Sequence, residues 1–282
     1  MKKILVLFLL IGLFTGCSQK QEDVKIKDVE SMAENIDLTG GFGLHNIENG
    51  YVYDGEAVNV DFDYEIDGRD CKLGVMIFID GIPQKIDGDN KVYSFAANKG
   101  EKGTKRVSFT PNVGNKGDRL IMQGAIIYDN EIVNDLKSME NKQHFGFCGS
   151  TTLTYHQDST KENIADSYDV SYFDISKEKL MEFQDKGDDY LVNNLLPRFL
   201  NTNGTYQKDA VVSLEIIGRP NLYRVWLFED LKPVQSYYVD LKTGKMATID
   251  LKTTNQSSKN LKVVVLPLNG DLPEQSGSLV VE

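Results

Sequence analysis

Residues 49–62 have the sequence NGYVYDGEAVNVDF, and residues 203–216 have the sequence NGTYQKDAVVSLEI. The two segments align without a gap, and each begins with Asn-Gly and continues into alternating apolar and polar residues. Alternation with a period of two is typical of a β-strand that buries one face. We therefore expect an internal duplication in which each copy contributes the same strand to its own sheet.

Two further blocks repeat in the same order. VMIFIDGIP at 75–83 aligns with VWLFEDLKP at 225–233, so that Phe, Asp and Pro recur in register. RVSFT at 106–110 aligns with MATID at 246–250, and in both copies a polar loop and an apolar strand follow. A chance alignment of similar strands is the alternative, but three blocks in one order favour a duplication. The first copy carries the longer middle loop, residues 87–103.

Each copy contains several short strands separated by Gly, Asn and Asp turns, which predicts antiparallel β-sandwiches of roughly a hundred residues. The strand spacing resembles that of the immunoglobulin-like domains common on bacterial surface proteins. This resemblance implies a mainly β protein of two tandem immunoglobulin-like sandwiches with a short, partly helical segment between them. We place the first sandwich at 38–156, a linker at 157–166 and the second sandwich at 167–282, with a helical insertion near 176–196.

The alternating apolar residues of each copy are expected to form its core. They are Val58, Val60, Phe62, Ile77, Ile79 and Phe109 in the first copy and Leu214, Ile216, Trp226, Phe228, Ile249 and Val264 in the second. Trp226 has an alternative role as a platform for a ligand, but its position in the middle of a strand favours the core.

The chain begins with MKKILVLFLLIGLFTGC, which has the layout of an export signal. Two lysines precede an apolar run at 4–14 that is too short to span a bilayer comfortably, and small residues lead to Cys17. This layout resembles the signal of bacterial lipoproteins, which implies that residues 1–16 are removed and that the Cys17 thiol is acylated. An ordinary cleaved signal with an incidental cysteine is the alternative.

The segment that follows, residues 17–37, is predicted to be a flexible, lipid-anchored tether because it has few apolar residues and many charges. A short amphipathic helix through Val24, Val29 and Met32 is the alternative. Without the leader the chain carries 29 basic and 42 acidic residues, a net charge of −13. So acidic a chain is expected to bind no nucleic acid and not to lie flat on an anionic bilayer. The resemblance to lipoproteins implies contact with the membrane through the lipid on Cys17, at the outer face of the bacterial cytoplasmic membrane.

Cys71 and Cys148 both lie in the first copy. A disulfide between them is one expectation, since an exported protein meets conditions in which disulfides survive, and two separate thiols are the other. The position equivalent to Cys71 in the second copy is Asn221, so the fold does not require a bridge. The histidines are scattered without ligand spacing, and Cys148 with His144 lacks the other residues of a thiol enzyme, so we expect no metal, cofactor or catalytic site.

The loop 87–103 is the main candidate for partner contact, because loops on rigid β scaffolds commonly carry recognition. Its first residues, DGDN, begin like a calcium-binding loop but lack the glycine and glutamate of the full pattern, so they are expected to form a turn. We predict that Asp89, Tyr93 and Phe95 contact a partner, with the two aromatic residues as stacking candidates for a glycan.

These observations favour a non-catalytic binding module for an envelope or extracellular protein or glycan. A structural spacer or assembly component of the cell envelope is the second hypothesis, and an extracellular hydrolase is the third. Exposed aromatic side chains at loop tips would favour binding, whereas a flat, evenly charged exterior would favour the spacer.

Replacing Cys17 by Ala should abolish incorporation of labelled palmitate and move the protein from the membrane fraction to the soluble fraction. The reason is that two acyl chains hold a protein on a bilayer, whereas the tether itself has little affinity for it. Cys71→Ala is the matched control and should stay labelled. Absence of label from the wild-type protein would contradict the prediction of a lipoprotein.

Overall fold

The computed structural model describes residues 39–45, 50–135, 143–187 and 189–282, and all of these belong to one compact unit that spans residues 37–282. The predicted signal, the tether and the acylation site at Cys17 lie outside the described residues. Within the described part of the chain, no helix has the length and apolar character needed to cross a membrane.

The first half of the chain forms a sandwich of two sheets. Its strands are β1 (Thr39–Leu44), β2 (Tyr51–Tyr53), β3 (Val58–Asp67), β4 (Cys71–Ile79), β5 (Ile82–Pro83), β6 (Tyr93–Ala97), β7 (Lys102–Phe109), β8 (Arg119–Tyr128) and β9 (His144–Tyr155). One sheet has the order β1-β3-β7, and the other has the order β2-β9-β8-β4-β5 with β6 beside β4. Only β2 and β9 pair in parallel among these strands.

The second half repeats this arrangement. Its strands are β10 (Asp166–Ser167), β11 (Ser171–Asp174), β12 (Leu195–Phe199), β13 (Thr205–Tyr206), β14 (Val212–Gly218), β15 (Asn221–Glu229), β16 (Lys232–Leu241), β17 (Lys245–Leu251), β18 (Asn260–Pro267), β19 (Glu274–Gln275) and β20 (Leu279–Val281). One sheet has the order β11-β17-β14-β12, and the other has the order β10-β16-β15-β18-β20-β13 with β19 beside β18. As in the first half, a short early strand, β13, runs parallel to the last strand, β20.

The topology confirms the predicted fold class. In both halves the strands that carry the repeated sequence blocks divide between the sheets in the same way: β3 and β7 against β4 and β8, and β14 and β17 against β15 and β18. This is the division of strands in immunoglobulin-like sandwiches. The predicted domain boundaries stay predictions, because residues 37–282 form one compact unit.

The helical segment lies within the second half. It consists of α1 (Lys177–Met181), a 3₁₀ turn (Gln184–Lys186) and α2 (Tyr190–Asn193), and it connects β11 and β12 at opposite edges of one sheet. The buried carboxylate of Glu215 on β14 forms ion pairs with Lys179 at 2.9 Å and with Arg198 at 2.7 Å. Lys179 attaches the segment to the sheet, and Arg198 of β12 also pairs with Glu182 of the segment at 2.7 Å. The buried carboxylate favours these contacts, because a buried charge is stable only when it is paired.

Each sandwich has its own apolar core between its two sheets. In the first half the core contains Val58, Val60, Phe62, Ile77, Ile79 and Phe109, as predicted. In the second half it contains Leu214, Ile216 and Ile249 together with Tyr223, Val225 and Leu227 of β15.

A third apolar layer joins the two sandwiches, and we call it the junction. It contains Met76, Phe78, Ala125, Ile127 and Phe145 of the first half and Trp226, Phe228, Leu231, Val264 and Leu266 of the second. The assignment of Trp226, Phe228 and Val264 to the core of the second sandwich was therefore wrong. Alternate residues of β15 face opposite sides of the sheet, so the side of Tyr223, Val225 and Leu227 fills the sandwich and the other side packs on the first half.

Equivalent positions of the two halves contribute polar side chains to the junction. Phe78 on β4 stands opposite Gln123, and its counterpart Phe228 on β15 stands opposite Lys262. Gln123 donates a hydrogen bond to the backbone carbonyl of Asp271 in the second half at 2.9 Å. Lys262 donates to the carbonyl of Gln143 in the first half at 2.6 Å. Equivalent polar side chains thus cross the junction in opposite directions.

Trp226→Ala should destabilise the protein by about 3–5 kcal/mol, the usual cost of removing a large buried aromatic side chain. The ring is 4% exposed, and its Nε1 donates to the carbonyl of Gly81 in the other half at 2.7 Å. Leu222→Ala, on the same strand but 38% exposed, is the control and should change stability by no more than about 0.5 kcal/mol. Urea unfolding followed by far-UV circular dichroism measures both, and equal effects would argue against the junction.

Candidate binding site at the junction

A cleft of about 790 Å³ opens at one edge of the junction, and both halves line it. The first half contributes the turn that precedes β6, part of β6 and the segment after β8. The second half contributes the turn between β15 and β16. The lining residues are Lys72, Asp87, Asp89, Asn90, Lys91, Val92, Ser94, Asn130, Glu131, Ile132, Asp230, Leu231, Lys232 and Pro233.

Residues 87–90 form the outer lip of the cleft. The backbone amide of Asn90 donates to the carbonyl of Asp87 at 2.9 Å, and the amide of Ile86 donates to the carbonyl of Asn90 at the same distance. Asp89 is nearly fully exposed and pairs with Lys85 at 3.2 Å. The expected turn is therefore present, and in the described residues no group of three His, Cys, Asp or Glu side chains could hold a metal ion.

Residues 129–133 form the inner wall of the cleft, and we call them the wall segment. Asp129 is buried and forms a bidentate ion pair with Arg69. The amide of Asn130 donates to the carbonyl of Lys72 at 2.9 Å, and its side chain donates to the hydroxyl of Ser94 at 2.5 Å. Arg69 lies in the turn before β4, Lys72 on β4 and Ser94 on β6, so separate elements hold the start of the wall segment.

Asn260 of the second half holds the end of the wall segment. Its Oδ1 accepts from the amide of Val133 at 2.8 Å and from Nε2 of Gln143 at 2.7 Å, and its Nδ2 donates to the carbonyl of Val133 at 2.8 Å. Gln143 also donates to the carbonyl of Glu131 at 2.7 Å. Asn260 and Gln143 are both 1% exposed, so this network needs its partners to avoid buried, unsatisfied polar groups.

The turn at Asp230 and Leu231 forms the opposite side of the cleft. Both residues have a positive φ, 48° and 65°, as do Asp80 and Gly81 at the equivalent turn of the first half. The Asp230 carboxylate accepts from the amides of Lys259 and Asn260 at 2.8 and 2.9 Å. Leu231 is 8% exposed and packs in the junction, so apolar contacts hold a conformation that leucine rarely adopts.

Charges of both signs surround the cleft, and one lining cation, Lys91, also covers the buried ring of Trp226 in the junction. Lys91 lies with its Nζ 5.8 Å from the centre of the Trp226 ring and 3.5 Å from a carboxylate oxygen of Glu162. Lys72 and Lys232 stand near Asp87, Asp89 and Asp230 along the rim. This arrangement offers a polar rim and a small apolar floor, which is typical of a protein interface.

The structure separates the three predicted contact residues. Asp89 lines the cleft, whereas Tyr93 and Phe95 pack against the core of the first sandwich. Alternate residues of β6 face opposite sides, so Ser94 points to the cleft and its neighbours do not. The Phe95 ring meets Tyr64 edge-on at 5.2 Å, and Lys105 lies 5.0 Å from its centre. Both side chains are half-buried, and Lys105 also lies over the Tyr93 ring, 5.6 Å from its centre.

Cys71 and Cys148 are both free, so the disulfide considered from the sequence does not form. Strand β8 lies between β4, which carries Cys71, and β9, which carries Cys148. Two strand spacings separate the backbones by about 9.5 Å, more than a disulfide can span. Burial raises the pKa of the Cys71 thiol to about 11 and that of the Cys148 thiol to about 12.

No family model and no curated protein matches the chain. Among solved structures, the periplasmic chaperone SfaE is 12% identical over 86% of this chain and 100% of that chain, with a TM-score of 0.24. The Salmonella enterica SafA pilin in complex with the SafB chaperone is 9% identical over 84% and 95%, with a TM-score of 0.27. Red sea bream transglutaminase is 8% identical with a TM-score of 0.21, and the alignment spans 91% of this chain and 33% of the enzyme. At these TM-scores the likenesses carry no argument about function.

In the Cys17→Ala protein, both remaining thiols should react slowly with iodoacetamide at pH 8 in the folded state and rapidly after denaturation. The thiolate is the reactive form, and the raised pKa of each thiol keeps it protonated at that pH. Mass spectrometry counts the adducts, and two should form in denaturant without prior reduction. A requirement for reduction would reveal a disulfide and contradict the structure.

Proposed function

We propose that the protein is a lipid-anchored, non-catalytic binding module at the outer face of the bacterial cytoplasmic membrane, and that it binds a protein partner in the cleft at the junction. The observation that carries this proposal is a polar-rimmed cleft whose two sides come from different sandwiches. The lipoprotein-like leader supports the location, and the acidic composition suits an exposed protein.

A protein partner fits the cleft better than a glycan does. Stacking of a sugar requires an exposed aromatic face, but Trp226 is 4% exposed beneath Lys91, and Tyr93 and Phe95 face the sandwich core. The rim instead carries lysines and carboxylates, which can pair with a partner of mixed charge and determine its orientation.

The junction also favours a second candidate function, a spacer in the cell envelope. A buried apolar layer between the sandwiches keeps them from moving independently, and a rigid pair of domains suits a structural support. The two functions differ in one consequence, since a spacer has no need of a partner in the cleft.

Site-specific photo-crosslinking tests the proposal. A photoreactive amino acid at Ile132, which lines the cleft and is 52% exposed, should give a discrete adduct in intact cells. The same group at Val52 is the matched control. That side chain is 49% exposed and lies on β2, the edge strand farthest from β5 in the sheet of the first half. Charge reversal at the rim by Lys232→Glu should reduce the Ile132 adduct, whereas Lys208→Glu near β20 should not.

The two functions predict different results in this experiment. An adduct that forms from Ile132 alone, and that excess soluble protein without the photoreactive group suppresses, supports binding in the cleft. Equal adducts from both positions, or none from either, would contradict it and favour the spacer.

A further inference from the structure

Lys262 on β18 is a buried lysine in the junction, and among the described residues its ammonium has one hydrogen-bond acceptor. Its side chain is 4% exposed, its Nζ donates to the carbonyl of Gln143 at 2.6 Å, and it lies 5.8 Å from the centre of the Phe145 ring. No ion pair joins it to a carboxylate within the described ranges. An ammonium has three donors, so the charged form leaves hydrogen-bonding capacity unused in an apolar layer.

The equivalent position in the first half shows what the fold requires there. Gln123 makes the same kind of contact, from the junction face of one half to a backbone carbonyl of the other, with a neutral amide. A neutral donor is therefore sufficient to complete the junction. The second half has an ionisable donor at this position, and burial lowers the pKa of the Lys262 ammonium to about 7.

The elements around Lys262 carry other titratable side chains, namely His144 on β9, Asp129, Glu131 and Asp135 after β8, Glu229 and Asp230 at the end of β15, and Glu274 on β19. Asp129 pairs with Arg69, and Asp230 accepts from two backbone amides. Glu229 accepts from the amide of Asn255 and from the hydroxyl of Ser258. Burial and the nearby Lys262 charge lower the pKa of His144, so that imidazole titrates below its ordinary range.

Lys262 is connected to the cleft through the residue it contacts. Gln143, which accepts the hydrogen bond from Lys262, donates to the carbonyl of Glu131 and to Asn260, and Asn260 holds Val133. Movement of the Gln143 carbonyl away from the amine would therefore disturb the wall segment. The protonation state of one buried amine and the shape of the cleft are thus coupled by a short chain of hydrogen bonds.

We propose that Lys262 is a proton switch for the cleft: the neutral amine stabilises the closed wall segment, and protonation favours an open arrangement in which the ammonium reaches water. For partner binding this inference rests on the proposed function, because the cleft is the site that the switch would control. For the junction itself it rests only on the contacts of Lys262 and Gln143.

The direction of the effect follows from the two pKa values. In the open or unfolded chain Lys262 has an ordinary pKa near 10.5, whereas in the closed junction it is about 7. Between these values the open state binds the proton more tightly, so the closed junction becomes more stable as the pH rises from about 7 to 10.5. Below about pH 7 Lys262 is protonated in both states, so the stability that the closed junction loses by burying the charge no longer changes with pH.

Trp226 provides a direct readout, since it is the only tryptophan in the chain and lies in the junction. Acrylamide quenching of its fluorescence should increase as the pH falls from 9.5 to 6 in the wild-type protein. Lys262→Gln, which reproduces the neutral donor of the other half, should remove this dependence, and Lys262→Met should do the same if the Gln variant does not fold. Lys259→Met is the control, because Lys259 is exposed and lies just before β18. This variant should behave like the wild type.

Thermal unfolding gives a second measurement. From pH 6 to 9 the melting temperature of the wild type should rise by about 3 °C or more relative to that of Lys262→Gln. The comparison cancels the contribution of the cysteines and tyrosines, which are the same in both proteins. Parallel profiles in the two proteins, or quenching in the wild type that does not change with pH, would overturn the switch.

Crosslinking from Ile132 at pH 6 and at pH 9 separates this inference from the proposed function. A pH-dependent junction with no adduct at either pH would leave the switch intact and overturn the binding site. An adduct of equal yield at both pH values, together with parallel stability profiles, would support the binding site and overturn the switch. A yield that changes with pH in the wild type but not in Lys262→Gln would support both.

Discussion

The apolar layer between the two sandwiches is the contact on which the rest of the structure depends. Each half already has a complete core of its own, and the junction adds a third layer that buries the outer faces of β4, β8, β15 and β18. Without it, large side chains such as Phe78, Trp226 and Phe228 would form an exposed apolar patch of a kind that soluble proteins avoid. The cleft exists only because this layer holds two different loops beside each other.

The similarity of the two halves accounts for the geometry of the junction, and the differences between them account for its polarity. Equivalent strands of the two halves, β4 and β8 in the first and β15 and β18 in the second, contribute the apolar side chains of this layer. Arg224 donates to the carbonyl of Asp80 at 2.5 Å and pairs with Asp166 at 2.8 Å, which fixes the turn of the first half on the second. Buried polar contacts of this kind penalise any other alignment of the two apolar faces, because their donors would lose their partners.

The sequence predicts the local structure well and the pairing of the halves poorly. Alternation locates the strands, and the repeated blocks predict two similar sandwiches, because both signals are local. Trp226 was assigned to the wrong layer, since alternation alone does not tell which face of a strand packs on which neighbour. The unbroken apolar runs at 75–79 and 225–228 were the available signal, because a strand buried on both faces loses its polar alternation.

The candidate site was predicted only in part, because sequence patterns are local whereas the cleft depends on how the two halves pack. The loop that contains Asp89 was located from the difference between the copies, whereas Tyr93 and Phe95, named as stacking candidates, follow a strand pattern that turns them toward the core. Leu231 and Lys262 were missed altogether. A lysine within the apolar run LKVVVL was visible in the sequence, but its burial depends on the other half of the chain.

Two unfavourable features at the junction lie on the second half, at positions whose counterparts in the first half avoid them. Leu231 has a positive φ that costs a non-glycine residue about 1 kcal/mol or more, and Lys262 buries an ionisable amine. The equivalent positions of the first half have Gly81 and Gln123, which avoid both costs. Folding stability alone would favour glycine and glutamine at these positions in both copies, so the residues of the second copy require another explanation. Leu231 lines the cleft, and Lys262 is bonded to Gln143, which holds the wall segment, and this shared location supports the proposal that the cleft binds a partner.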